Sequence, residues 1–185
     1  MTGIRHLVSR DYTARPWRNG GGVTRDIVAV PAGTSDDDFL WRASIATIDA
    51  AGPFSLWPGV DRAFLLLRGE LLLTVGNEGE RPVDSNAAAI LFAGEAAIAA
   101  RPVGGPCTAL NLMTRRGRAR IAVERWTAAR PTAAGQCLLL AEQPTTLRIN
   151  GDAIDLGQGD ALLLTGAVPT ELEFDRPLIV AEIFI

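Results

Sequence analysis

The feature that most constrains this chain is how soon each apolar run ends. Runs rich in leucine and β-branched residues are cut by Gly, Pro, Asn or Asp at intervals that suit strands, and convincing helical periodicity is absent. With 19 Gly and 11 Pro among 185 residues, turns are plentiful. From Phe39 to Ile48 the odd positions read Phe39, Trp41, Ala43, Ile45, Thr47 and the even ones Leu40, Arg42, Ser44, Ala46, Ile48. One strand therefore presents a mostly apolar face and a face carrying Arg42 and Ser44. Further strands are predicted over 23–30, 61–67, 70–75, 88–92, 96–99, 107–113 and 119–126, then over 136–141, 145–149, 152–156, 160–164, 171–174 and 178–185. So many short strands call for an all-β sandwich or barrel.

A weak internal repeat divides the chain. Ile90-Leu91-Phe92-Ala93-Gly94-Glu95 and Ile154-Asp155-Leu156-Gly157-Gln158-Gly159-Asp160 each set a glycine-acid corner between apolar strands. Arg68-Gly69-Glu70 and Asn150-Gly151-Asp152 read as turns before the strands that follow, and Asn-Gly is a strong hairpin signal because both residues tolerate positive φ. The Ala-, Pro- and Thr-rich segment 127–135 is the natural boundary. Two stacked β-modules are expected: 1–126 with the candidate pocket, and 136–185, completed by strands from the N-terminal part, with 127–135 as linker.

Composition removes several chemistries. All 18 basic residues are arginine, which excludes a lysine Schiff base or a lysine general base. His6 is the single histidine, and with Cys107 and Cys137 far apart it cannot build the ligand sets that zinc, iron or copper use. Neither metal nor cofactor is expected, and the cysteines read as small buried hydrophobes in a reducing compartment. Asp36-Asp37-Asp38 lacks the alternation and closing Glu of a calcium loop and reads as a solvated turn. No Gly-x-Ser-x-Gly elbow is present and His6 sits in what reads as a mobile end, which disfavours acyl transfer. Carboxylate acid/base chemistry through Asp26, Asp61 or Glu70 is left open. A net charge of -3 gives no attraction to nucleic acid; Arg115-Arg116-Gly117-Arg118-Ala119-Arg120, with no interleaved aromatic residue, reads as a solvated hairpin tip. The polar start and the lack of any membrane-length apolar run predict a soluble cytoplasmic protein with no membrane partner.

The glycine-acid corners resemble those of a cupin. More specifically, Pro16-Trp17-Arg18-Asn19-Gly20-Gly21-Gly22-Val23-Thr24-Arg25-Asp26-Ile27 resembles the N-terminal signature of the HutD/Ves family. Three later blocks agree: 39–46, Gly52-Pro53-Phe54-Ser55 running to Pro58-Gly59-Val60-Asp61-Arg62, and 110–115. The resemblance implies an all-β bicupin, two stacked double-stranded β-helix (jelly-roll-like) barrels. It also implies a bacterial, cytoplasmic protein often encoded with histidine-degradation enzymes, regarded as a regulator or metabolite sensor rather than an established enzyme. A metal-binding cupin would show His-x-His followed by Glu, then a later His. Here 59–69 offers Asp61 and arginines, and 94–111 contains no His, so the expected guest is an organic molecule.

Candidate ligand-binding residues follow. Gly20 and Gly21, after Arg18 and Asn19, either offer backbone N–H groups to an anion or form a tight bend. Trp17 could lid a small planar metabolite, and Thr24 lies in the same block. Arg42, beside Ser44, needs a carboxylate partner if it faces inward: either a ligand, or Asp26 or another internal acid. Arg62 shares a face with Phe64 and Leu66, and its planar fork suits a carboxylate. Asn111 and Met113 could add a polar floor and an adaptable wall. The expected function is non-catalytic binding of a small anionic metabolite in the regulation of histidine utilisation, with urocanate, formiminoglutamate and formylglutamate as candidates. The alternatives are a metal-free enzyme acting on a small acid and a protein-protein interaction module. An exposed edge strand would pair two copies into a homodimer.

Overall fold

The computed structural model describes residues 3–17, 20–34, 38–130, 132–166 and 172–185. Among the described residues there are sixteen strands and one 3-10 turn (Ser9–Asp11), and no helix is long and apolar enough to cross a membrane. All strand pairings are antiparallel. The chain divides into two compact units: the first is Thr13–Arg118, and the second joins the N-terminal segment up to Tyr12 with Ala119–Ile185.

Strand β1 (Gly3–Leu7) belongs to the second unit. The first unit holds β2 (Thr13–Pro16), β3 (Gly22–Val30), β4 (Trp41–Ile48), β5 (Gly52–Pro53), β6 (Val60–Val75), β7 (Arg81–Asp84), β8 (Ile90–Ala93) and β9 (Ile98–Arg115). The second continues with β10 (Arg120–Trp126), β11 (Gln136–Ala141), β12 (Thr145–Ile149), β13 (Asp152–Leu156), β14 (Ala161–Thr165), β15 (Leu172–Phe174) and β16 (Leu178–Phe184). In the first unit one sheet runs β2-β3-β4-β9-β6-β7, with β5 on β9 and β8 on β6. In the second, one sheet runs β1-β14-β11-β16-β10 and another β13-β12-β15.

This corrects the expected boundary. Residues 120–126 pair along their whole length with β16, because the alternating Ile121, Val123 and Arg125 register with Ile183, Ala181 and Ile179. Arg120–Trp126 therefore belongs with the C-terminal strands, and the division falls between Arg118 and Ala119. His6 is not in a loose end: it sits in β1 opposite Leu162, with Nε2 3.4 Å from Asp160 Oδ2.

Two predicted turns resolve differently. Asn150 (φ 52°) and Gly151 (φ 87°) make the tight hairpin between β12 and β13, as the Asn-Gly pair requires. Arg68-Gly69-Glu70 makes no turn; β6 runs through it, and the register against β9 slips on both sides of Arg68. Gly69 sits there at φ 90°, and a Cβ would come within 2.9 Å of Cys107 Sγ, so glycine absorbs a bulge instead of ending a strand. The segments predicted over 96–99 and 107–113 are likewise joined in the single long β9, despite Pro102, Gly104, Gly105 and Pro106 between them.

The two glycine-acid corners do similar work. The Glu95 carboxylate accepts the Gly59 N–H at 2.7 Å and is gripped by Arg116, which also binds Asp61. These charge-assisted bonds, Arg116 first, hold the Glu95 carboxyl down at about 2. In the second unit Asp160 accepts the N–H groups of Ser9 (2.7 Å) and Gly157 (2.9 Å). Burial pushes its carboxyl up, and these donors more than offset that and hold it below the ordinary value. The predicted solvated tip at 115–120 is thus partly an anchor: Arg116 ties Asp61 to Glu95, and Arg115 lies over the Phe39 ring at 5.0 Å.

Each unit has its own apolar core. Phe64, Leu66, Leu71, Leu73 and Ile98 centre the first; Leu139, Leu147, Leu162, Leu164 and Val180 centre the second. Each fully buried aliphatic or Phe side chain contributes roughly 1.5–3 kcal/mol.

Candidate functional site

The first unit contains a cavity of about 640 Å³. Strand register orders the side chains on the sheet face that carries its lining residues. Arg42 on β4, Met113 on β9 and Arg62 on β6 are directly opposite one another, and Phe92 of β8 follows Arg62. The next row in is Asp26, Ser44, Asn111 and Phe64, and the one after it Thr24, Ala46, Ala109 and Leu66. Because side chains alternate, the even positions of β4 (Arg42, Ser44, Ala46 and Ile48) all line the cavity, while Trp41 is fully buried on the opposite face.

The two inward arginines differ. Arg42 Nη2 bonds Asp26 Oδ1 at 2.7 Å, and Arg15 Nε reaches the other oxygen of that carboxylate at 2.9 Å. Of the two partners foreseen for Arg42, the structure holds the internal acid. The bulge between Asp26 and Val28 on β3 leaves Asp26 in register with Ser44, on the face that Arg42 shares. Arg62 is 7% exposed and makes only neutral contacts: Nη1 donates to the Ser55 carbonyl (3.1 Å) and Nη2 to Asn111 Oδ1 (3.2 Å). Its Nε has no partner among the described residues. The Phe54 and Phe92 rings lie 5.3 and 5.0 Å from the guanidinium carbon. Burial, with the nearby charge of Arg42, lowers the Arg62 pKa to about 10, which still leaves it cationic at neutral pH.

Trp17 closes another side. Its Nε1 donates to Thr24 Oγ1 at 2.8 Å, and its backbone N–H to the Gly22 carbonyl at 2.9 Å. A Cβ on Gly22 would meet the Thr47 carbonyl at 2.2 Å and the Trp17 ring at 3.1 Å, so the glycine permits the ring to lie on the strand. An irregular strap, 53–57, supplies Phe54, Ser55 and Trp57 and is held by Phe54 N–H to Ile98 O and Trp57 N–H to Gly94 O, each 2.8 Å. The lining has three arginines and, among the described residues, no Asp, Glu, His or Cys.

Of the predicted ligand-binding set, Trp17, Thr24, Arg42, Ser44, Arg62, Asn111 and Met113 meet at this cavity. Gly20 and Gly21 do not line it: Gly20 N–H bonds Trp17 O, and Gly21 O accepts from Asp49 and Ala50, so these glycines form the bend that positions Trp17. Arg18 and Asn19 lie outside the described residues, as do Asp36 and Asp37. Asp61, half-exposed on Arg116, and Glu70, exposed, stay away from the lining, as does Asp26. Among the described residues no three His, Cys, Asp or Glu side chains group to hold a metal ion. Sequence reasoning missed Arg15 and the strap. Pro53 and Pro58 flanking an unalternating Phe-Ser-Leu-Trp segment were the available signal.

Comparison with known proteins agrees with this description. The chain is 41% identical over 108 residues to Protein Ves of Citrobacter koseri, covering 58% of this chain and 56% of that protein. It is 36% identical over 124 residues to an uncharacterized 21.2 kDa protein in the hutC 3' region of Pseudomonas putida, covering 65% and 64%. The match thus spans less than two thirds of either relative's length. HutD from Pseudomonas fluorescens SBW25, in a formate condition, superposes with a TM-score of 0.84 at 26% identity, covering 98% of both chains. Bacterial pirin YhhW from Escherichia coli, in complex with nickel(II), shares the fold alone, with a TM-score of 0.63 at 10% identity over 97% of this chain and 98% of that one. Fold and cavity define an all-β, cupin-like protein with a cationic, aromatic-walled site. The chain belongs to the HutD family, whose model matches residues 9–180; this is the family that the signature blocks resembled.

Proposed function

We propose that this chain is a bicupin, one double-stranded β-helix barrel per unit, whose first barrel binds a small carboxylate metabolite without turning it over. The observation that carries the proposal is Arg62. A guanidinium that is 7% exposed, meets only neutral oxygens, stays charged at neutral pH and keeps an unpartnered Nε is costly to bury. A ligand carboxylate supplies the missing charge and accepts two parallel hydrogen bonds. Phe54 and Phe92, whose ring centroids are 6.3 Å apart, pack beside the guanidinium and help fix its position. Among the described residues the lining holds no Asp, Glu, His or Cys, which favours capture over turnover, since none of them but a hydroxyl offers a general base to the guest.

The P. putida relative from the hutC 3' region favours a role in regulating histidine utilisation, with urocanate, formiminoglutamate and formylglutamate as the first acids to test. Free, buried Cys107 and Cys137 suit the cytoplasm, where we place the protein. Calorimetric titration of the chain with these three acids should give saturable heat for at least one. Arg62→Ala, shown to be folded by circular dichroism, should abolish it. Saturable heat that survives Arg62→Ala would remove the proposal's foundation.

A further inference from the structure

We infer that Ser44 and Asn111 form a second recognition point in this cavity, which takes an uncharged oxygen on the carbon next to the guest's carboxylate, so that the guest is a 2-hydroxy or 2-oxo acid. This deepens, and rests on, the carboxylate reading above.

Several polar groups of the lining are already engaged. Arg42 and Arg15 hold the Asp26 carboxylate, and the Trp17 indole N–H is taken by Thr24 Oγ1 at 2.8 Å. Arg62 donates to Asn111 Oδ1 at 3.2 Å. A guanidinium can only donate, so the amide oxygen must face it, and Asn111 Nδ2 keeps its N–H groups unspent among the described residues. Directly opposite Asn111 across the β4–β9 pair stands Ser44, with its Cβ about 4.5–5.5 Å away. Ser44 is 2% exposed, lines the cavity and makes no side-chain hydrogen bond among the described residues. A hydroxyl and an amide NH2, neither of them used by the fold, therefore stand side by side on the cavity wall.

Their place relative to Arg62 decides what they read. Within an amide the nitrogen lies roughly 2.3 Å from the oxygen, so Nδ2 is at most about 5.5 Å from Arg62 Nη2. One carboxylate oxygen on the guanidinium and one oxygen on the neighbouring carbon span that distance. A keto oxygen there accepts from Nδ2 and from the Ser44 hydroxyl, whereas a hydroxyl accepts from Nδ2 and donates to Ser44 Oγ. An ammonium on the same carbon has no lone pair for Nδ2 and sets a second cation beside Arg62, while Asp26 is already shared by two arginines. The 2-amino acid is thus discriminated against. An acid with only hydrogen on that carbon leaves both groups unpaired, which weakens its binding.

Two series that keep the body fixed and change only that carbon test this by calorimetric titration. One compares 2-hydroxyglutarate and 2-oxoglutarate with glutarate and glutamate; the other compares 3-phenyllactate with 3-phenylpropanoate and phenylalanine. In at least one series the oxygenated acid should bind at least fivefold more tightly than its hydrogen and amino counterparts. Ser44→Ala, folded by circular dichroism, should bring the ratio of oxygenated to hydrogen acid down towards one. Equal affinities within both series, or a preference that Ser44→Ala leaves intact, would overturn this inference while leaving the carboxylate reading in place. So would saturable binding of urocanate by a chain that takes no acid of either series. If none of these acids binds, nor any of the three named above, both readings fall together.

Discussion

Arg42 and Arg62 face the same cavity from strands separated only by β9, roughly 10 Å apart in backbone terms. Their partners make them opposites. Arg42 is a structural ion pair: it holds Asp26, with Arg15 on the other oxygen. Arg42→Ala should therefore destabilise the chain by about 1–3 kcal/mol in urea unfolding, below the full cost of breaking a buried pair because Arg15 remains on the carboxylate. An unchanged midpoint would show that the pair contributes nothing. Alternation along β4 made the inward polar face of Arg42 and Ser44 legible in the sequence. Which carboxylate Arg42 meets was not, since that depends on a one-residue bulge in β3 that pattern alone does not mark.

Among the elements, the strands were readable and their continuity was not. Periodicity located most of them, but β6 and β9 each run through glycines that read as turns, because a glycine at positive φ serves a bulge as well as a hairpin. The strap 53–57 was opaque for a related reason: it makes few backbone pairings and owes its course to contacts far along the chain, at Gly94 and Ile98. Its C-terminal end runs into the turn fixed by Glu95, Arg116 and Asp61. The Glu95 carboxyl falls from 4.5 to about 2 on folding, so its stabilising contribution is complete above pH 4.5 and is lost as pH falls towards 2. Glu95→Gln should accordingly lower the urea midpoint at pH 6 and do so by much less near pH 2. An equal difference at both pH values would show that the carboxylate is not what holds the turn.

For the whole molecule, the sequence led to the family and to an all-β chain, and the comparisons agree with both. It misplaced the division between units, because the partner of residues 120–126 is β16, more than fifty residues later, and no local signal encodes a pairing at that range. The proposed sensing role rests on one physical claim, that the first unit keeps a buried positive charge in readiness for an anion. The most direct measurement is thermal unfolding of wild type and Arg62→Met, each with and without saturating urocanate. Methionine keeps much of the volume and removes the charge, so without acid the variant should unfold at or above the wild-type temperature. Acid should raise the wild-type midpoint, by about 2.7 kcal/mol of stability at a hundred times Kd, and leave the variant unmoved. A variant that unfolds several degrees lower, yet still responds to the acid, would mean that Arg62 is a structural residue and that the anion binds elsewhere.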